Sequence, residues 1–261
     1  MLQFPTPVEI RLENPPVVEV ICQVRFPPVL RILNEPPVAF QDAIRAEFPL
    51  LETQQGIRVQ IDPLATTTPV AQTESRIYRF QSLDEQTVIA LAPNFVALST
   101  TAYGGWTDFV RQLDLATSAA RQTYDLPYAT RIGLRYVDHL TQTNTRSATP
   151  RDVWEMLRPE LTALWRAEPW QDPVQASHQL VLAASEQEQL TLRVAYRQEE
   201  EPVCVLDFDA YVEGKGKGLP LDNLLEYAQR FHHLIYAAFR WCIPEEKLAV
   251  FGFAGEERSS V

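Results

Sequence analysis

From Val17 to Phe26 the chain alternates. Val18, Val20, Cys22, Val24 and Phe26 fall on one side, and Glu19, Ile21, Gln23 and Arg25 on the other. A period of two marks a half-buried strand, and Pro27 and Pro28 end it. Behind Pro36 and Pro37 the period changes: Phe40, Ala43, Ile44 and Phe48 recur at helical spacing and predict a helix over Val38–Phe48. Ile57–Ile61 reads as a short strand and the Thr- and Pro-rich stretch Asp62–Ser75 as a loop. Arg76–Ser82, Thr87–Ala92 and Phe95–Thr100, joined by short polar turns, predict a meander. Trp106–Tyr124 follows as a helix with Trp106, Phe109, Val110, Leu113 and Ala120 inward.

Thr130–Leu140, in mid-chain, has the clearest strand pattern. Ile132, Leu134 and Tyr136 share one face, while Arg131, Gly133, Arg135 and His139 share the other. After a loop, Thr141–Thr149, Thr149 and Pro150 are a helix N-cap and first position. That helix is expected to run to about Trp165, with Val153, Leu157, Leu161 and Leu164 inward, and to lead into a Trp/Pro linker, Arg166–Pro173. Ser177–Ala184, Leu190–Arg197 and Val203–Val212 predict three strands, Glu213–Pro220 a glycine-rich loop, and Leu221–Cys242 the longest helix. Both halves thus read strand, helix, strands, long helix. The expected fold is α+β: two tandem pseudo-repeats sharing an antiparallel sheet, long helices on one face, like a saddle or a pair of helix-grip units. The first repeat would be 1–126, opening with an extended segment from Met1 to Pro16. The second would be 127–261, packed with the first as one unit.

Composition narrows the function. The net charge of -11 sets the chain against the phosphate backbone, which excludes general nucleic-acid binding. Lysine occurs only at Lys215, Lys217 and Lys247, so positive charge is mostly arginine, suited to planar pairing with carboxylates or phosphates. Three cysteines without a C-x-x-C spacing point away from a disulfide framework or structural zinc. Neither a signal peptide nor an apolar run of membrane-spanning length is apparent, so the expected location is cytoplasmic. No cofactor is expected.

Four pieces carry a family resemblance: Asn14-Pro15-Pro16-Val17-Val18-Glu19; Tyr103 with Trp106 and Phe109; Arg131-Ile132-Gly133-Leu134-Arg135-Tyr136; and His232 with Leu234, Ile235, Phe239 and Ile243. Together they resemble a functionally uncharacterised bacterial protein family of about this length, known for its sporadic distribution. The third piece is the most specific. In the family it usually continues with an Asn-bearing run, and here Val137-Asp138-His139 stands in its place. Sporadic distribution implies a mobile module, such as a defence or toxin–antitoxin locus.

Asp207 and Asp209 share a strand face opposite Cys204, Leu206 and Phe208. Paired carboxylates can take a divalent cation; the favoured reading is ion pairing with Arg131 and Arg135 across the sheet. Those arginines could instead clamp an anion. Gly214-Lys215-Gly216-Lys217-Gly218 matches no phosphate-loop motif and reads as a crossover turn. His232 borders the apolar stripe of the last helix and suits a structural hydrogen bond, and cations beside His139 would depress its pKa. Trp154, Trp165 and Trp170 form a capped core rather than a partner patch. The binding residues expected are therefore Arg131, Arg135, His139, Asp207, Asp209 and His232. They point to a non-enzymatic binding or regulatory protein acting through a protein partner, with a homodimer as one option. The alternative is an enzyme or small-anion sensor on the same face.

Overall fold

The computed structural model describes residues 4, 10, 12–58, 72–167, 175–185, 187–198, 200–214 and 216–252. The architecture is α+β, as the pattern predicts. The strands are β1 (Val17–Arg25), β2 (Leu50–Arg58), β3 (Gln72–Gln81), β4 (Thr87–Ala92), β5 (Phe95–Thr100), β6 (Arg131–Thr141), β7 (Gln175–Ala183), β8 (Glu188–Arg197) and β9 (Val203–Glu213). They form an open antiparallel sheet in the order β2-β3-β4-β5-β1-β6-β9-β8-β7. The α-helices are α1 (Leu30–Asn34), α2 (Val38–Ile44), α3 (Trp106–Tyr124), α4 (Gln142–Thr145), α5 (Pro150–Glu155), α6 (Pro159–Arg166), α7 (Leu224–Cys242) and α8 (Glu245–Leu248). The chain groups into two compact units, one of Ile21–Ile132 with Glu213–Leu225, the other of Met1–Val20, Gly133–Val212 and Glu226–Val261.

In the unit holding β2–β5, the alternation of β1 puts Cys22 and Val24 in the core beside Phe80, Ile89, Leu91 and Leu98. Burial of each such side chain contributes about 1.5–3 kcal/mol. Phe40 of α2 closes on Phe80 and Tyr124, with ring centroids 5.4 and 6.5 Å away. α3 buries Phe109, Leu113, Ala116 and Ala120 at helical spacing. Its C-cap, Asp125, is left-handed at φ +49°, which ends the helix. Arg111 grips Glu47 through both carboxylate oxygens at 2.8 and 2.9 Å and tethers α3 to the residues after α2.

In the unit holding β7–β9, Leu190, Leu192, Val194 and Tyr196 of β8 lie beside Leu206, Phe208 and Ala210 of β9 in the core. Two ring contacts locate the helices on this same face. Tyr136 meets His232 of α7, and Tyr196 meets Trp165 of α6. The helix expected over 150–165 is two. Thr149 and Asp152 form a reciprocal cap at the start of α5 as its sequence predicts. Pro159, lacking an N–H, ends that run and occupies the first turn of α6. The break rotates the faces, so Leu164 points outward and Trp165 inward. Likewise β2 begins at Leu50, ahead of the predicted strand. β3 begins at Gln72, inside the predicted loop, whose residues up to 71 lie outside those described.

Candidate functional site

The alternation that buries Ile132, Leu134 and Tyr136 sends Arg135 to the face away from α6 and α7. The same rule acts on β9, where Cys204, Leu206 and Phe208 are buried and Asp207 points the other way. Arg135 meets Asp207 through both carboxylate oxygens, Nε to Oδ1 at 2.7 Å and Nη2 to Oδ2 at 3.0 Å. A second guanidinium joins from β8, where Arg193 is the direct cross-strand neighbour of Asp207. Its Nη1 donates to Oδ2 at 3.0 Å and its Nε to Gln179 Oε1 of β7 at 3.0 Å. A lateral chain Gln179–Arg193–Asp207–Arg135 therefore crosses four strands. The Asp207 side chain is 9% exposed, and those of Arg135 and Arg193 are 39% and 45% exposed. The buried carboxylate thus lies between two half-solvated cations. The hydrogen bond to Asp207 raises the pKa of Arg135 against the opposing effect of burial, with Glu19 and Asp209 adding smaller pulls.

Burial and other charges act on the remaining expected residues. Asp209, opposite Thr191, acts on Arg135 through its charge. Arg131 groups with the other unit, where its charge acts on the Cys22 thiol, itself pushed up to about 12 by burial. The pKa of His139 is lowered chiefly by burial and then by Arg197 rather than by the arginines of its own strand. Its backbone N–H donates to Pro16 O at 2.9 Å, and its backbone carbonyl accepts from Asn144 Nδ2 at 2.7 Å. His232 lies on the opposite, helix-covered face. Its Nδ1 shares a 3.0 Å hydrogen bond with Tyr136 Oη, and burial, helped by His233, pushes its pKa down to about 4. A neutral imidazole buried against a phenol is part of the core.

Three residues were missed. The clean alternation of β8 already points Arg193 outward, but setting it beside Asp207 takes the β8–β9 register, and setting Gln179 beside it takes the β7–β8 register. Asp138 was within reach of the sequence. It lies two residues beyond Tyr136 on the core face, where burial raises its carboxyl to about 7. Its charge acts on the buried Cys242 thiol, whose pKa is driven upward chiefly by burial.

The chemistry open to these groups is narrow. Two guanidiniums around Asp207 oppose a cation there, and among the described residues no group of three or more His, Cys, Asp or Glu is placed to hold a metal. The glycine loop has a steric rationale. A Cβ at Gly218, where φ is +70°, would come within 2.5 Å of the Tyr128 ring, and one at Gly214 within 3.0 Å of the Gly218 backbone. Lys215 lies outside the described residues. Trp154 and Trp165 are buried edge to face at 5.9 Å, and Trp170 lies outside the described residues. Among the described residues no helix is long and apolar enough to cross a membrane. Neither a protein-family model nor a curated protein matches the chain.

Proposed function

We propose that the chain is a non-enzymatic cytoplasmic binding or regulatory protein that works through a protein partner and presents the Arg135–Asp207–Arg193 face to it. The observation that carries this reading is the occupancy of Asp207. Its two oxygens accept three charge-assisted hydrogen bonds from two arginines. Such a carboxylate is withdrawn from acid–base work and from cation binding. Its half-exposed guanidiniums keep a fixed, planar pattern of charge that a protein surface can match. Half-buried charge held in a fixed pattern suits a polar recognition patch better than a substrate cleft.

The repeated element order supports a duplicated origin for this arrangement. In each half a central strand is followed by short helices, an antiparallel meander and a 19-residue helix. We read β1–α3 and β6–α7 as the two tandem pseudo-repeats of a saddle- or helix-grip-like fold, β2 being an added strand of the first. A place in a mobile defence or toxin–antitoxin locus follows from the sporadic family that the sequence resembles.

The test compares wild type with Arg193→Glu. Affinity capture from the native host, read by mass spectrometry, should return a protein that the variant fails to hold. A panel of phosphate, nucleotides and small carboxylates should leave the melting temperature unchanged. Concentration-dependent stabilisation by one of those anions, abolished in Arg193→Glu, would replace this reading with that of a small-anion sensor.

A further inference from the structure

β7 pairs with β8 through Gln175–Ala183 and, among the described residues, ends the sheet. Its nine residues, about 30 Å of strand at 3.3 Å each, contain neither a lysine, arginine, aspartate or glutamate nor a proline. Edge strands are ordinarily guarded by such residues, because their outer row of N–H and C=O groups templates another strand. β2, at the other end of the order, follows the guarded pattern: it carries Glu52, paired to Arg79. On β7 the apolar groups are instead exposed, Leu180 at 39% and Val181 at 56%.

We propose that β7 is a self-pairing edge: two copies of this chain join antiparallel through β7 about a twofold axis at Gln179. The occupant follows from the strand itself. The axis sets Ala176 against Leu182, Ser177 against Val181 and His178 against Leu180, so each larger apolar side chain meets a smaller or flat one. No like charges are opposed across the junction, which matters for a chain of net charge -11 that would otherwise repel its copy. Leu180 and Leu182 lie opposite Leu192 and Leu190 in the ladder, so the apolar face of β8 would continue across the junction. Strand pairing of this length buries roughly 1,000 Å² in all, at the lower limit for a specific interface, so the dimer belongs with the weak, concentration-dependent ones.

Sedimentation velocity from about 1 to 200 µM spans the range of weak self-association. Wild type should pass from monomer to dimer, with slowed amide exchange at 175–183 only at the high end. Val181→Lys should weaken association at least about tenfold while keeping the melting temperature of dilute wild type. Val181→Thr, a strand-compatible control, should remain dimeric. Three results would overturn the proposal: a monomer at every concentration, a dimer with unchanged exchange in β7, or a Val181→Lys dimer as tight as wild type. A monomer whose β7 amides are protected by an unrelated strand-forming peptide would assign the edge to another protein and would equally end self-pairing.

Discussion

Removing the Asp207 carboxylate should cost more than removing either arginine that holds it. Each arginine is backed by the other, whereas the carboxylate has no substitute. A charged hydrogen bond is worth about 1.5–3 kcal/mol when desolvated, but the two guanidiniums are 39% and 45% exposed and water regains part of that. Asp207→Ala, which loses three bonds at once, should therefore destabilise by about 2–3 kcal/mol. Arg135→Ala, losing two, should cost about 1–2 kcal/mol, and Arg193→Ala about 1 kcal/mol. The decisive quantity is the sign of the coupling. Arg135→Ala with Asp207→Ala should cost at least about 1 kcal/mol less than the sum, since both remove the same bonds. Arg135→Ala with Arg193→Ala should cost more than the sum, because the second change leaves a 9%-exposed carboxylate without a cation, a loss of about 3–5 kcal/mol. Urea unfolding at neutral pH, analysed with a common slope, reads all of these. Additivity within about 0.3 kcal/mol in both cycles would refute the network and leave an ordinary solvated surface.

Asp138 sets a pH dependence. Its folded pKa of about 7 exceeds the unfolded value of about 3.9. Between those values the folded state holds a proton that the unfolded state has released, so its contribution falls as pH rises through the window. His232, lowered to about 4 from about 6.5, acts in the opposite sense, its contribution falling as pH drops. Asp138→Asn should therefore turn the stability profile more steeply upward from pH 4 to 6.5 and stabilise the protein at pH 8; an unchanged profile in thermal melts would count against a buried carboxyl. Gly218→Ala should destabilise by about 2 kcal/mol or more through the Tyr128 clash and its positive φ, and Gly216→Ala, with open space around it, by only about 1 kcal/mol; equal losses in denaturant titrations would contradict the steric account. Random-sequence duplex should bind more weakly than about 1 µM at physiological salt, given the net charge of -11; a tighter gel shift would defeat that expectation.

What the sequence revealed depended on how strongly burial constrained each position. β4, β5 and α3 are found with the predicted boundaries, because both faces of those strands and one full stripe of that helix are buried. β1 and β9 agree to within a residue. The start of β2 was illegible: Glu52, Thr53 and Gln54 are all exposed, so no period marks an edge strand there. α1 follows Pro27 and Pro28 and is five residues long with only Ile32 buried, too short to show a helical period. The pairing of Arg135 with Asp207 followed from parity on two strands. Adding Arg193 required the register of the β8–β9 hairpin, which fixes which residues stand opposite. Asp138 obeys the same parity, but an acidic residue on a core face runs against hydropathy and is passed over for that reason.

The interleaving of the two compact units bears on synthesis. The unit built on Ile21–Ile132 takes its last segment from Glu213–Leu225, and the 80 residues Gly133–Val212 belong to the other unit. A nascent chain emerging from the ribosome therefore carries β1–β5 and α3 for the time needed to translate those intervening residues before Leu219 can bridge to Ala129 and Gly218 can seat Tyr128. Throughout that interval the apolar side chains that the later segment covers are open to whatever is nearby, a chaperone or another unfinished chain. Yield in the cell should then depend on the speed of translation through 133–225 as much as on the stability of the finished protein.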